Sequence, residues 1–160
     1  MALVCFERRS GIPLLKHGAE TYQKLLRLLE WRGGELKYRR VERRASRLGL
    51  SIIDVIRVVE EGAEALLSIR MHSAGRPRVE RLEALRRLLD ELEERPILVL
   101  DHGLVPGDES SAARELGVRV KFASSSRTPG IQLGDLAAGA CYHGTACKRD
   151  ECGETGGEME

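Results

Sequence analysis

Apolar positions along this chain switch between a spacing of two and a spacing of three to four, and the switches mark out its elements. Ala2 to Phe6 is a continuous apolar run bounded by charge and then by Gly11-Ile12-Pro13, which predicts a short buried strand. Tyr22, Leu25, Leu26 and Leu29 share one face of a helix over Glu20 to Trp31, stopped by Gly33-Gly34. Glu35 to Tyr38 reads as short and extended, and Val41 to Leu48 as a basic helix ended by Gly49. Ser51, with Asp54 three residues on, predicts an N-cap for a helix along Ile52, Ile53, Ile56, Val59 and Ala63. A strand over Ile52 to Val59 is the rival, because the run is rich in β-branched residues.

In the second half, Leu67, Ile69 and Met71 alternate with Ser68, Arg70 and His72, the pattern of a strand with one wetter face. Ala74 to Pro77 is a turn, and Val79, Leu82, Leu85, Leu88, Leu89 and Leu92 form the clearest helical stripe, ended before Pro96. Ile97 to Leu100 is a continuous apolar run of the kind found inside a parallel sheet, with Asp101 at its carboxyl end. A helix over Ser110 to Leu116 closes at Gly117, Val118, Val120 and Phe122 alternate as a strand, and Pro129-Gly130 opens an apolar helix reaching Tyr142. From Thr145 the composition turns to Gly, Glu, Lys and Thr. We therefore expect one domain over residues 1–144 and a frayed tail over 145–160.

The order strand–helix–strand–helix–strand–helix from Leu67 onward predicts an α/β fold with parallel strands and right-handed crossovers. Ligands in such sheets sit at the carboxyl ends of the strands. That rule puts Asp101, the loop Ser124 to Gly130 and the first turns of the last helix on one rim.

The last helix raises a question of chemistry. Ile131, Leu133, Leu136, Ala137, Ala138 and Ala140 leave it almost no polar face, yet it carries Asp135. A carboxylate expected to be largely buried is paired, neutral or holding a metal. Asp101 and Asp135 together could hold Mg²⁺ or Mn²⁺ for phosphodiester hydrolysis; the competing reading has Asp101 capping a loop and Asp135 paired with an arginine such as Arg127. Ser124, Ser125, Ser126, Arg127 and Thr128 precede a helix start, where free N–H groups favour a phosphate, or else their hydroxyls simply satisfy that terminus. No Walker or Gly-x-Gly-x-x-Gly pattern supports a nucleotide-hydrolase or dinucleotide reading.

Charge changes the picture locally rather than globally. The 160 residues carry a formal charge of +1, but Arg39, Arg40, Arg43, Arg44 and Arg47 fall within nine positions. Such a run could track a nucleic-acid backbone, or be a solvated helix face with Glu42 as partner. Few aromatics argue against base stacking as the main mode. Abundant Arg and Glu with no Asn suggest a thermophile. No apolar run is long enough to span a membrane and none suits a secretory signal, so a cytoplasmic location is expected. Cys141, His143, Cys147 and Cys152 lack the close pairing of structural zinc sites, which favours free thiols or a thermophile disulfide over zinc. His102, beside Asp101, is a candidate proton carrier or ligand, or simply the first loop residue.

GIQLGDLAAGA resembles the closing motif of DUF family 3800, uncharacterised ribonuclease H-like proteins that end in Gln-Leu-Ala-Asp-Leu followed by small residues; Gln132, Leu133, Asp135 and Leu136 match and Gly134 replaces the usual Ala. ILVLD ending in Asp101 resembles the family's penultimate acidic strand, and Glu35-Leu36-Lys37-Tyr38 its Glu-x-Lys-aromatic element. The resemblance implies a ribonuclease H-like mixed sheet with helices on both faces and a metal-dependent nuclease activity. In it Asp101 and Asp135 are metal ligands and Lys37 is an accessory cation. Family members open with a strand ending in Asp-Glu-Ser-Gly, and this chain begins instead at what corresponds to a later strand. We expect an N-terminally abbreviated domain, from a start placed too late or a lost hairpin; Glu7, the only carboxylate beside its first strand, substituting for the missing Asp is the third and least favoured alternative. A two-metal site short of its bridging carboxylate should bind Mg²⁺ poorly and turn over slowly or not at all. The expected function is a metal-dependent nuclease, or else a non-catalytic module binding nucleic acid or protein. A homodimer is expected through an open sheet edge or through the helix Val79 to Leu92.

Overall fold

The computed structural model describes residues 1–71 and 75–144. Its first strand, β1 (Ala2–Cys5), runs antiparallel to β2 (Ala65–Ser68), with Leu3 opposite Leu67 and Val4 opposite Leu66. Between them lie three helices: α1 (Ala19–Leu28), α2 (Tyr38–Arg47) and α3 (Ile52–Gly62). After β2 come α4 (Pro77–Leu89), β3 (Ile97–Asp101), α5 (Glu109–Leu116), β4 (Arg119–Ala123) and α6 (Pro129–Tyr142). β3 and β4 are parallel, with Asp101 opposite Ala123.

The fold is α/β, as expected, with a difference in pairing. The described strands form two two-stranded sheets rather than one. β2, expected to lie parallel to the strands that follow, is antiparallel to β1 instead. It also starts earlier than its alternation suggests, over Ala65–Ser68, because Leu66 and Ser68 are buried too. The wetter face is therefore absent, and the reason is that β1 and β2 are covered on both sides. Ala2, Val4 and Leu66 pack into a core built by α1, α2, α3 and α6; Leu3, Leu67 and Ile69 pack into a second core built by α4, α5 and β3.

Local chemistry settles the ambiguous stretch. Ser51 and Asp54 form a reciprocal capping box, with the Asp54 N–H donating to Ser51 Oγ at 3.3 Å and the Ser51 N–H to Asp54 Oδ2 at 2.8 Å. Ile52, Val55, Ile56 and Val59 are buried and Ile53 is exposed, so the β-branched run has the period of a helix and α3 forms. Glu35 to Lys37 stays non-helical, but Tyr38, expected to be extended, is the first residue of α2. Of the leucine stripe along α4, Leu85, Leu88 and Leu89 lie inside the second core, Leu82 and Leu92 pack against it half-buried, and Val79 is exposed. None of the described helices is long and apolar enough to cross a membrane.

Candidate functional site

The carboxyl end of β3 is where distant parts of the chain meet. Asp101, its last residue, accepts a hydrogen bond from the Ser125 N–H at 3.3 Å, in the turn after β4. The Ser125 hydroxyl donates to Glu35 Oε2 at 3.3 Å, and Lys37 Nζ lies 2.7 Å from the same oxygen. Gln132, buried in the first turn of α6, holds this assembly together. Its Oε1 accepts the Leu36 N–H at 2.9 Å, and its Nε2 donates to the Ser125 carbonyl at 2.8 Å. The loop bearing Glu35 and Lys37 is thus clamped to the turn that touches Asp101.

Asp135 completes the group, but not as a buried charge. It is exposed, on the stripe of α6 that faces a cleft, beside Ile131, Gly134 and Ala138. Leu133, Leu136, Ala137 and Ala140 occupy the helix sides that pack into the first core. Counting apolar neighbours in sequence overestimated its burial, because a helix next to an open cleft needs no charged residue to have a wet side. The cleft walls still strip part of its hydration. That loss raises its carboxyl from 3.8 to about 6, with Lys37 pulling the other way and the charges of Asp101 and Glu35 adding to the rise. The Lys37 hydrogen bond holds Glu35 below the usual carboxylate range, and the same bond raises Lys37, whose ammonium also feels Asp135 and Asp101.

Three carboxylates and one lysine from three chain segments therefore share one electrostatic environment. Sequence reasoning found Asp101, Asp135 and Lys37. It passed over Glu35 as a ligand and Gln132 as a clamp, although Gln132 is one of only two glutamines in the chain and sits in an apolar helix. The donor set is oxygen only, the chemistry that suits Mg²⁺ or Mn²⁺. Among the described residues, however, no three of His, Cys, Asp and Glu close on a common point. Glu35 is held by Lys37 and Ser125, and Asp101 by a peptide N–H.

The serine loop turns largely inward. Ser125 and Thr128 are buried, and Thr128 Oγ1 donates to the Ser124 carbonyl at 2.7 Å rather than capping α6. Ser124 and Ser126 share a hydrogen bond of 2.8 Å and stay exposed, as does Arg127. The exposed part available to a phosphate is thus narrower than the full stretch Ser124 to Thr128. His102 packs edge-on against the Phe122 ring, with 6.2 Å between centroids.

The arginine helix begins at the site, since Lys37 is the N-cap residue of α2. Its arginines divide into two groups. Arg44 donates from Nε to the Leu29 carbonyl at 2.8 Å and from Nη2 to the Glu30 carbonyl at 3.3 Å, closing the end of α1. Arg40, itself exposed, lies over the Trp31 ring at 5.0 Å. Arg39, Arg43 and Arg47 are exposed, Arg39 near Glu42 at 3.5 Å. Of the residues considered for zinc, His143 stacks on Tyr38 with 4.8 Å between ring centroids and Cys141 is buried, while Cys147 and Cys152 lie outside the described residues.

Comparison with family models, with curated proteins and with solved structures finds no match to this chain.

Proposed function

We propose that this chain is a metal-dependent nuclease of ribonuclease H-like fold, with Asp101 and Asp135 holding one Mg²⁺ or Mn²⁺ ion and Glu35 as the nearest further carboxylate. The observation that supports this reading is the convergence of Glu35, Lys37, Asp101 and Asp135 at the carboxyl end of a strand in a parallel pair. The GIQLGDLAAGA motif points the same way. Asp101 and Asp135 would hold the divalent ion, which would supply an activated water and charge stabilisation for the leaving oxygen of a phosphodiester. The protein's own part is to aim the ligands. Gln132 and Ser125 fix the Glu35 loop against Asp101, α6 presents Asp135, and Lys37 supplies a cation for the phosphate. Ser124, Ser126 and Arg127 border the turn, and Arg39, Arg43 and Arg47 extend the basic surface along α2 for a nucleic-acid backbone.

The test is Mn²⁺-dependent cleavage of single-stranded DNA, duplex DNA and RNA by the intact protein and by Asp101→Asn and Asp135→Asn. Cleavage that both substitutions abolish supports the assignment. Equal cleavage in all three proteins, or none in any, sinks it.

A second reading rests on one observation: Lys37 already neutralises Glu35, so the carboxylates are partly satisfied without a metal. On that reading the chain is a non-catalytic module that keeps the fold and binds nucleic acid through α2. Binding that is unaffected by Mn²⁺ and by Asp135→Asn, but weakened by Arg43→Ala, would favour it.

A further inference from the structure

One face of α2 carries more positive charge than the fold uses. Arg40, Arg43, Arg44 and Arg47 stand at i, i+3, i+4 and i+7, and with Trp31 and Arg32 they line a cavity of about 410 Å³. Glu30, 3.5 Å from Arg44, is the one carboxylate of that lining. Five guanidinium groups thus face a single acid. Among the described residues, no ion pair reaches Arg32, Arg40, Arg43 or Arg47.

The cavity is built, not a chance crowding of long side chains. Arg44 is tied to the Leu29 and Glu30 carbonyls, Arg40 Nη2 donates to the Gly33 carbonyl at 3.4 Å, and Trp31 Nε1 donates to the Gly34 carbonyl at 3.0 Å. Gly34 has a left-handed φ of 80°, and a Cβ there would sit 2.9 Å from Arg40 Nη1. A glycine at this turn is what lets Arg40 lie over the Trp31 ring. These bonds engage Arg40 and Arg44. They leave Arg32 and Arg47 exposed, and Arg43 with only the Arg39 carbonyl.

Guanidinium groups gathered this closely repel one another, and phosphate oxygens match their forked donors. The ring narrows the choice of phosphate. Trp31 is the chain's only tryptophan, and it stands half-buried in this cavity with a guanidinium over it. A flat base stacks on aromatic rings and on guanidinium planes, and base faces are open in an unpaired strand but not inside a duplex.

We infer that this cavity grips an unpaired nucleic-acid strand, with phosphates on Arg32, Arg43 and Arg47 and one base against the Trp31–Arg40 layer. Charge supplies most of the affinity, and the ring supplies the preference for an unpaired strand. The link to cleavage rests on the nuclease reading, whose substrate would then be single-stranded at this point. α2 runs from Lys37 at the acidic site to Arg47, and its ten residues span about 15 Å, the rise of roughly four stacked nucleotides.

Because Trp31 is the only tryptophan, its fluorescence reports on this cavity alone. The full chain is titrated in EDTA with a short oligothymidylate, with the same strand paired to oligoadenylate, and with inorganic polyphosphate. The oligothymidylate should quench Trp31 saturably and bind more tightly than the duplex or the polyphosphate. By anisotropy of a labelled strand, Trp31→Leu should weaken binding about tenfold and Trp31→Tyr should restore most of it. Arg32→Ala, on an exposed loop, should lower the salt slope by about 0.7 and leave thermal unfolding unchanged, which keeps the test sound if Trp31→Leu folds poorly. Unquenched Trp31 at saturation overturns the inference, and so does equal binding of duplex or polyphosphate. Without a metal no cleavage is read, so binding that survives while Mn²⁺-dependent cleavage fails sinks the nuclease reading alone.

Discussion

Gln132 Oε1 accepts the Leu36 N–H at 2.9 Å across 96 positions of sequence. With the other end of the same side chain on the Ser125 carbonyl, one neutral residue connects the Glu35 loop, the Asp101 strand end and the helix that carries Asp135. The acidic site has its shape because two buried backbone groups find their partners on a single amide.

Replacing Gln132 with Met keeps the volume and leaves the Leu36 N–H and the Ser125 carbonyl without their partner. Two buried groups stripped in this way should cost about 2–4 kcal/mol. Urea unfolding of the natural chain and Gln132→Met measures the loss. The same change should relax the Glu35–Ser125 contact, so Mn²⁺-dependent cleavage should fall even under conditions where the variant is fully folded. An unchanged unfolding midpoint would show that the clamp carries no stability.

The Asp135 carboxyl, raised from 3.8 to about 6, makes a signed pH prediction. The folded chain holds this proton more tightly than the unfolded chain. Its contribution is therefore fully present below the unfolded value and lost as pH rises through the folded one. Asp135→Asn removes the ionisation, so its stability relative to the natural chain should rise between about pH 4 and pH 7. Thermal unfolding of the pair across that range reads the effect directly. Adding Mn²⁺ near neutral pH should reduce or reverse the difference, since an ion bound at Asp135 stabilises only the natural chain. A flat difference across the range would remove Asp135 from the cluster.

The arginines of α2 should separate by experiment as they do by contact. Arg44 closes the end of α1, where Glu30 sits at a left-handed φ of 48° and the Leu29 carbonyl needs a donor. Arg44→Ala should cost about 1–2 kcal/mol in stability. Arg43→Ala, on the exposed side, should leave stability nearly unchanged and lower the salt slope of nucleic-acid binding by about one. Denaturant curves combined with binding at several salt concentrations distinguish the two. Equal losses of stability would contradict the division.

By itself the sequence determined what neighbours within about four residues decide. The Ser51–Asp54 capping box, the Gly117 stop, the apolar run ending at Asp101 and the period of α4 are local, and each appears where periodicity and capping put it. It also marked Asp101, Asp135 and Lys37 as belonging together, through strand order and motif. Tertiary structure decided what depends on distant partners. β2 pairs antiparallel with β1, because register follows which faces find a core and not the order of elements. Asp135 is wet because the cleft lies on its side of α6, a matter no helical count can settle. Glu35 joins the site only because Ser125 and Gln132, some ninety residues away in sequence, supply the hydrogen bonds that hold its loop there.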